Sequence, residues 1–386
     1  MFQKIKEFTY TAFGSICHFV KKETVLTIAA ILAVISSFFV KPCMEYLDYI
    51  DWRVLGILLS LMLVVAGFQK NGLFDYIGKK LLLKTKNTVQ LMCVLVFLCF
   101  FSSMLITNDV SLLTFVPFAL VILQKAKQEK LMIPVLVLQT IAANLGSMLT
   151  PIGNPQNLYL YNLAGVDIMT FMGWMLPYTV LSGVALFAVI MFISAGNRKN
   201  IIQDVMFSQS EVKNDMRKNV IYSVLFILSL LVVTRLIPYY VVLPIILIAV
   251  FVFDRDVLLR VDYCLLLTFI SFFIFIGNMG NLPVVRDTLQ SLVEGREVGI
   301  GIAASQIVSN VPAALLLSGF TKAYKALTLG VNIGGLGTLI ASMASLISYK
   351  IYAHNYNKTK GIYLLWFTVA NVLFLVALVL VYWLIS

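Results

Sequence analysis

The chain has 386 residues, 60% of them apolar and 12% charged, with a mean hydropathy of +0.94. A soluble globular domain carries roughly 45–50% apolar and about 25% charged residues, so the composition excludes a cytosolic enzyme and points to one polytopic membrane domain. The excess of 29 Lys and Arg over 18 Asp and Glu, net +11, falls in short loops between apolar runs, where it reads as membrane topology and not as a nucleic-acid surface.

Apolar segments run over 25–40, 54–69, 88–106, 109–124, 131–149, 158–164, 171–194, 219–235, 238–253, 262–280, 299–308, 312–320, 326–349 and 361–385. A helix crossing the hydrocarbon needs about 20 residues, and several of these fall short. The short ones meet end to end at polar or Pro/Gly breaks: Thr107-Asn108-Asp109, the stretch Thr150 to Asn157, and Ser309 to Pro312. A break inside an apolar run frees backbone N–H and C=O groups that lipid cannot satisfy, so it persists only where protein or a wet cavity supplies partners.

Charge fixes the arrangement. With 88–124 and 299–320 as re-entrant hairpins, and 131–160 and 326–350 as broken helices, nine crossings remain and 22 of the 29 cations lie on the inner side. The fold class expected is therefore an all-α polytopic membrane protein with a cytoplasmic N-terminus and an external C-terminus, in the plasma (inner) membrane. Residues 1–194 form a first repeat that starts with an amphipathic N-terminal segment, 195–218 a cytoplasmic linker, and 219–386 a second repeat. No removable signal peptide is expected at the N-terminus.

The repeat is visible residue by residue. Ser103, Thr107, Asn108 and Phe118 match Ser305, Ser309, Asn310 and Phe320 at an offset of 202. Asn144, Gly146, Thr150 and Ile152 match Asn332, Gly334, Thr338 and Ile340 at an offset of 188, and Asp51-Trp52 and Gly67 match Asp262-Tyr263 and Gly277. With one hairpin opening inward and the other outward, the halves have inverted topology, the sequence pointer to a secondary transporter with its site at the midplane.

Each break places short polar side chains just before a helical run. Asn108 or Asp109 can cap a helix from Val110, Asn154-Pro155 reads as N-cap and first helical residue, and Asn310-Val311-Pro312 opens another helix. Half-helix N-termini suit an anion; carbonyls freed before the break, with side-chain oxygens, suit a small hard cation such as sodium. The first cation site expected comprises Thr107, Asn108, Asp109, Asn144, Thr150, Gly153 and Asn154, and its counterpart Ser309, Asn310, Asn332, Thr338 and Ser342. Substrate is expected between the tips, near Asn108, Asn157, Asn310 and Ser345. Asp109 is the one acidic residue between two half-spans and a candidate for cation or proton handling; its repeat partner is Val311. Gly146, Gly153, Gly334, Gly335 and Gly337 allow unwinding or close helix packing, and Trp52, Trp174, Trp366 and Trp383 read as interface anchors.

Five cysteines without pairing and two histidines in loop-like sequence supply no zinc or haem ligand set. No cofactor is expected beyond sodium as a possible coupling ion. An intramembrane enzyme is disfavoured by the lack of a catalytic His, paired Asp or metal motif, and a channel by capping sites suited to bound intermediates. A sodium/proton antiporter is the alternative within the transporter class.

Taken together, Thr107-Asn108-Asp109, Ala143-Asn144-Leu145-Gly146, Thr150-Pro151-Ile152-Gly153-Asn154-Pro155-Gln156-Asn157 and Ser305-Gln306-Ile307-Val308-Ser309-Asn310-Val311-Pro312 resemble the ion transporter superfamily from about residue 25 onward. That superfamily includes divalent-anion/sodium symporters, citrate–metal transporters, arsenite efflux permeases and sodium/proton antiporters. The resemblance implies two inverted repeats, each with a re-entrant hairpin and an unwound helix, an elevator-like movement, and often a homodimer. In the dicarboxylate branch a Ser-Asn-Thr triplet at each tip binds sodium and carboxylate. Here the triplets are Thr107-Asn108-Asp109 and Ser309-Asn310-Val311, and the Asp is more similar to the arsenite-permease and antiporter side.

Overall fold

The computed structural model describes residues 23–83, 85–195 and 215–385. The amphipathic segment expected before residue 23 and most of the 195–218 linker lie outside these residues. Among the described residues the chain is helical throughout, without a strand. Besides one short turn over Tyr46–Tyr49, the α-helices are α1 (Thr24–Ser37), α2 (Trp52–Lys70), α3 (Leu73–Leu82), α4 (Thr88–Ser102), α5 (Asn108–Lys125), α6 (Met132–Ser147), α7 (Pro155–Ala164) and α8 (Ile168–Ser194). Then follow α9 (Met216–Val233), α10 (Tyr239–Phe253), α11 (Tyr263–Gly280), α12 (Pro283–Val293), α13 (Glu297–Val308), α14 (Asn310–Ser318), α15 (Tyr324–Ile333), α16 (Met343–Asn355) and α17 (Lys360–Ile385). Seven helical stretches among the described residues are long and apolar enough to cross a membrane, and the chain is an all-α polytopic membrane protein.

The seven include α5, and α6 with the turn before it, so length alone does not separate half-spans from full ones. What pairs α4 with α5 is hydrogen bonding across the turn between them. The Ser102 and Ser111 hydroxyls lie 2.7 Å apart, and Ser111 Oγ also donates to the Cys99 carbonyl at 3.3 Å. Deeper in, the buried Gln139 amide of α6 donates to Leu95 O at 3.0 Å and to Phe115 O at 3.4 Å, one carbonyl from each arm. The two arms are thus antiparallel and fastened to α6. That helix is the centre of the molecule, almost wholly buried, whereas α8 and α17 keep under a third of their best apolar window inside. Their exposed faces are apolar, as a lipid-facing surface requires.

Two helices are absent from the apolar segments of the sequence. The helices α3 and α12 are short and amphipathic, and each directly follows a long apolar helix, α2 or α11. In α3 one face buries Phe74, Gly78 and Leu82, and the other carries Asp75, Lys79 and Lys80. Charge on one face forbids a span, and apolar residues on the other forbid free solution, so an interfacial position follows. A further correction concerns His354, which sits exposed in the last turn of α16 and not in a loop.

Close backbone approach sets the glycine positions in the central helices. A methyl group on Gly146 would overlap the Phe100 carbonyl of α4 and the Ser103 that follows it, and one on Gly334 would overlap the Gly330 carbonyl and crowd Ser305 and Ile302. Backbone atoms cannot rotate away, so overpacking of about 1–3 kcal/mol exceeds the gain of about 1 kcal/mol in helix propensity. Gly146→Ala and Gly334→Ala are each expected to lower the unfolding midpoint in detergent; an unchanged or raised midpoint would show that the helices are not in contact there.

Candidate functional site

Four helices start inside the protein, at the breaks in the apolar runs: α5, α7, α14 and α16. Their N-cap residues are Thr107, Asn154, Ser309 and Ser342, all of types that normally cap. None of the four makes a side-chain cap. Elsewhere the same chemistry is used in the usual way: Asp51, Asn87, Asp167, Asp215 and Asp262 cap α2, α4, α8, α9 and α11 through their carboxylate or amide oxygens. At three of the breaks the capping side chain is turned to other partners, and Ser309 Oγ faces Asn310 Oδ1 and the Ala341 carbonyl. Ser342 Oγ donates to Asn144 Oδ1 at 2.9 Å, and Asn154 Nδ2 donates to Ser147 Oγ at 2.7 Å. The four N-cap side chains therefore leave their helix ends uncapped, each end with its partial positive charge, but few N–H groups stay open. Those of Asn108, Asn157, Asn310 and Ser345 donate to backbone carbonyls, those of Asp109 and Val311 to asparagine side chains, and Pro155 and Pro312 have none, which leaves Val110, Gln156, Met343 and Ala344.

Helix starts differ from the sequence expectation by one or two residues. The first helical residue is Asn108 in α5 and Asn310 in α14, because each asparagine folds its Oδ1 back onto the next backbone N–H: Asp109 N at 2.9 Å and Val311 N at 3.0 Å. The Asn108 N–H itself donates to Gly153 O at 3.2 Å, and the Asn310 N–H to Ala341 O at 3.0 Å. Thr150 Oγ1 donates to Met104 O at 2.5 Å, and Thr338 Oγ1 to Gln306 O at 3.4 Å. These pairs fall at the sequence offsets 202 and 188, so each tip is tied to the neighbouring unwound loop by the same bonds.

The freed carbonyls are mostly occupied. Asn157 Nδ2 lies 3.2 Å from Ser147 O, 3.3 Å from Met148 O and 3.2 Å from Thr150 O. In the other half Gln306 Nε2 donates to Gly334 O at 2.8 Å and Leu336 O at 2.9 Å, while its Oε1 accepts from Thr338 N at 2.9 Å. Gln306, Gln139 and Gln156 carry no role in the sequence reading. Their signal was a long polar side chain in apolar surroundings, which residue type alone does not distinguish from an exposed one.

The two expected residue sets are cross-linked. Asn144 Oδ1 accepts from both Asn108 Nδ2 and Ser342 Oγ, each at 2.9 Å, and Asn144 Nδ2 donates to Ser345 Oγ at 3.3 Å. Reciprocally, Asn332 Nδ2 donates to Asn157 Oδ1 at 2.7 Å. The structure thus joins Asn108, Asn144, Ser342 and Ser345, and joins Asn157 to Asn332, because α6 packs on α16 and α7 on α15. Thr107 and Asp109 are half-buried at the first tip, and neither side chain has a hydrogen-bond or ion-pair partner among the described residues. Thr338 is exposed. Ser309 turns the second tip with φ 76° and ψ 156°, a region that costs a residue with a side chain about 1–3 kcal/mol.

Several buried polar atoms have no protein partner: Asn154 Oδ1, Asn332 Oδ1, and both Nε2 and Oε1 of Gln156. Each such atom costs about 1–3 kcal/mol when nothing satisfies it. Among the described residues no group of three or more His, Cys, Asp or Glu could hold a metal ion.

Comparison with known proteins gives a concordant result. The family model described as "Citrate transporter" matches residues 16–328. The chain is 34% identical over 339 residues to an uncharacterized transporter of Methanocaldococcus jannaschii, covering 87% of this chain and 90% of that protein. It is 28% identical over 310 residues to the inner membrane protein YbiR of Escherichia coli, covering 78% of this chain and 80% of that one. It is also 35% identical over 130 residues to a silicon efflux transporter of Oryza sativa subsp. japonica, covering 33% of this chain and 26% of that one.

Bonds across the halves make their residues energetically dependent. A double-mutant cycle of Asn144→Ala with Ser345→Ala, read by unfolding in detergent, is expected to show a coupling of about 0.5–3 kcal/mol. The same cycle on Asn157 and Asn332 is expected to match it, and simple additivity in both would mean that the network does not join the halves.

Proposed function

The chain belongs to the citrate transporter family, and on that premise we propose that it is a secondary active transporter moving a small anion, a carboxylate or inorganic oxyanion, coupled to protons or sodium. The observation that carries this reading is the set of four uncapped half-helix N-termini at the breaks. The N-cap side chains do not cap, and the N–H groups of Val110, Gln156, Met343 and Ala344 remain as donors for the oxygens of a solute. Freed carbonyls, by contrast, are mostly bonded to Asn157, Gln306, Thr150 and Thr338. That contrast favours a solute with oxygen acceptors over a cage of backbone carbonyls.

Asp109 supplies the coupling in this reading. It stands next to the first tip without a counter-charge, so a proton or sodium ion bound there offsets the cost of its charge at membrane depth. Thr107, Asn108, Asn144, Asn154 and Gly153 surround the coupling ion on the first side, and Ser309, Asn310, Asn332, Thr338 and Ser342 are their counterparts. Alternating access follows from inverted repeats, in which both hairpins and both broken helices move past the outer helices as an elevator, with α3 and α12 as interfacial connectors. The positive-inside count supports a cytoplasmic N-terminus in the plasma membrane.

A second reading is favoured by the similarity to the rice protein named as a silicon efflux transporter. In it the solute is a small hydroxylated acid leaving the cell, and the proton gradient drives efflux through Asp109.

The test is transport by the purified protein in liposomes against citrate, malate, phosphate, sulfate, arsenite and silicic acid, with imposed pH or sodium gradients. Saturable transport of one or more of these, accelerated by one gradient, is expected. Asp109→Asn is expected to reduce the gradient acceleration at least about tenfold. Unsaturable flux, or full activity of Asp109→Asn with unchanged ion dependence, would overturn the coupled-transport reading.

A further inference from the structure

Gln156 is the second residue of α7, at the mouth of one of the four uncapped half-helices, and its side chain is 1% exposed. Both its Nε2 and its Oε1 lack a partner in the protein, so the observation holds whichever way the amide is turned. Side chains in a helix tilt toward its N-terminus, which directs this amide toward the start of α7, where Pro155 has no N–H and the Gln156 N–H is without a backbone acceptor. The turn itself does not require it. The same position in the second half, at the start of α16, is the buried Ala344, with Ser342 in the same extended backbone as Asn154. A methyl group therefore suffices to build this corner, and the glutamine is retained for something else.

The unpaired atoms specify the chemistry. Asn332 has its Nδ2 fixed on Thr328 O at 2.8 Å and on Asn157 Oδ1 at 2.7 Å, which leaves its Oδ1 as an acceptor without a donor. Asn154 Oδ1 is another. Gln156 adds one donor and one acceptor. A solute that is only an acceptor, such as sulfate or a bare dicarboxylate, satisfies the Gln156 backbone N–H and Nε2 but leaves the amide oxygens unpaired. We propose that Gln156 is a specificity-determining residue that accepts a hydrogen bond from a hydroxyl of the transported solute while donating to a neighbouring oxygen, so that the preferred substrate is an oxyacid that still carries an O–H. This rests on the transport reading above and deepens it: the class is hydroxy acids, protonated oxyanions and neutral hydroxides, and not fully deprotonated oxyanions.

A site built to hydrogen-bond a hydroxyl rejects the analogue without it far more strongly than an apolar pocket discriminates by size. The experiment compares matched probes in liposomes holding the full-length protein at pH 7.5: malate with succinate, citrate with tricarballylate, and hydrogen phosphate with sulfate. For each pair carried, the wild type is expected to prefer the O–H-bearing member by about tenfold or more in the ratio of Vmax to KM. Gln156→Met, which keeps the volume and removes both polar atoms, is expected to bring that ratio near unity. Its unfolding midpoint without solute is expected to hold or rise, since an unpaired amide is exchanged for an apolar group. Equal transport of both members by the wild type, an unchanged preference in Gln156→Met, or a clear fall in its midpoint each overturns the proposal, the last by assigning the amide to the fold. If the wild type carries none of the six probes and neither silicic acid nor arsenite, the transport reading fails, and this inference with it; a preference absent while transport persists defeats the inference alone.

Discussion

Backbone that leaves the helix inside an apolar interior must find every hydrogen bond within the protein, and this constraint organises the whole molecule. Four breaks open four sets of carbonyls and four sets of N–H groups. The chain treats the two kinds differently. Carbonyls are met by Asn157 and Gln306, which reach from helices into the unwound loops, and by Thr150 and Thr338, which reach from those loops to the hairpins. The N-cap side chains of Thr107, Asn154, Ser309 and Ser342 do not cap, and the only side-chain oxygens on first-turn N–H groups at the breaks are those of Asn108 and Asn310, on Asp109 and Val311. The uncommitted backbone polarity at the breaks is thus a small set of N–H donors, on Val110, Gln156, Met343 and Ala344, and its sign suits a solute with oxygen acceptors.

The bonds between halves give that site a shared floor. Asn144 bonds to both Asn108 and Ser342, so one amide touches a hairpin start in the first half and a helix start in the second. Displacing either tip disturbs Asn144, and through Ser345 the helix α16 as well. The reciprocal contact from Asn332 to Asn157 does the same for the loop that Asn157 holds closed. A network in which each amide has its orientation fixed by several partners is stiff, which is what positioning of helix ends requires.

Matched bonds do not make the halves chemically equal. Asp109 faces Val311 across the repeat, Gln156 faces Ala344, and the carbonyl clasp is Asn157 in one half and Gln306 in the other. The first tip is a turn of several unstrained residues, and the second turns on Ser309 alone in a left-handed conformation. Charge and the unpaired glutamine amide lie in the first half, and strain lies in the second. A common scaffold thus carries one polar, chargeable tip and one mostly neutral tip.

Composition and pattern alone determined the class. The apolar excess fixed a membrane protein, and polar residues at Asn108, Asn154 and Asn310 within apolar runs marked three breaks, because lipid tolerates such residues only where backbone is interrupted. Short amphipathic helices escaped notice: α3 and α12 mix charge with apolar residues, so neither stands out by hydropathy. Only the tertiary structure decided which asparagine bonds to which, that the capping residues decline to cap, and that Gln156 is buried without a partner. The bonds between the halves join residues 175 or more positions apart, and a hydrogen bond is directional over about 3 Å, a geometry that sequence spacing does not encode.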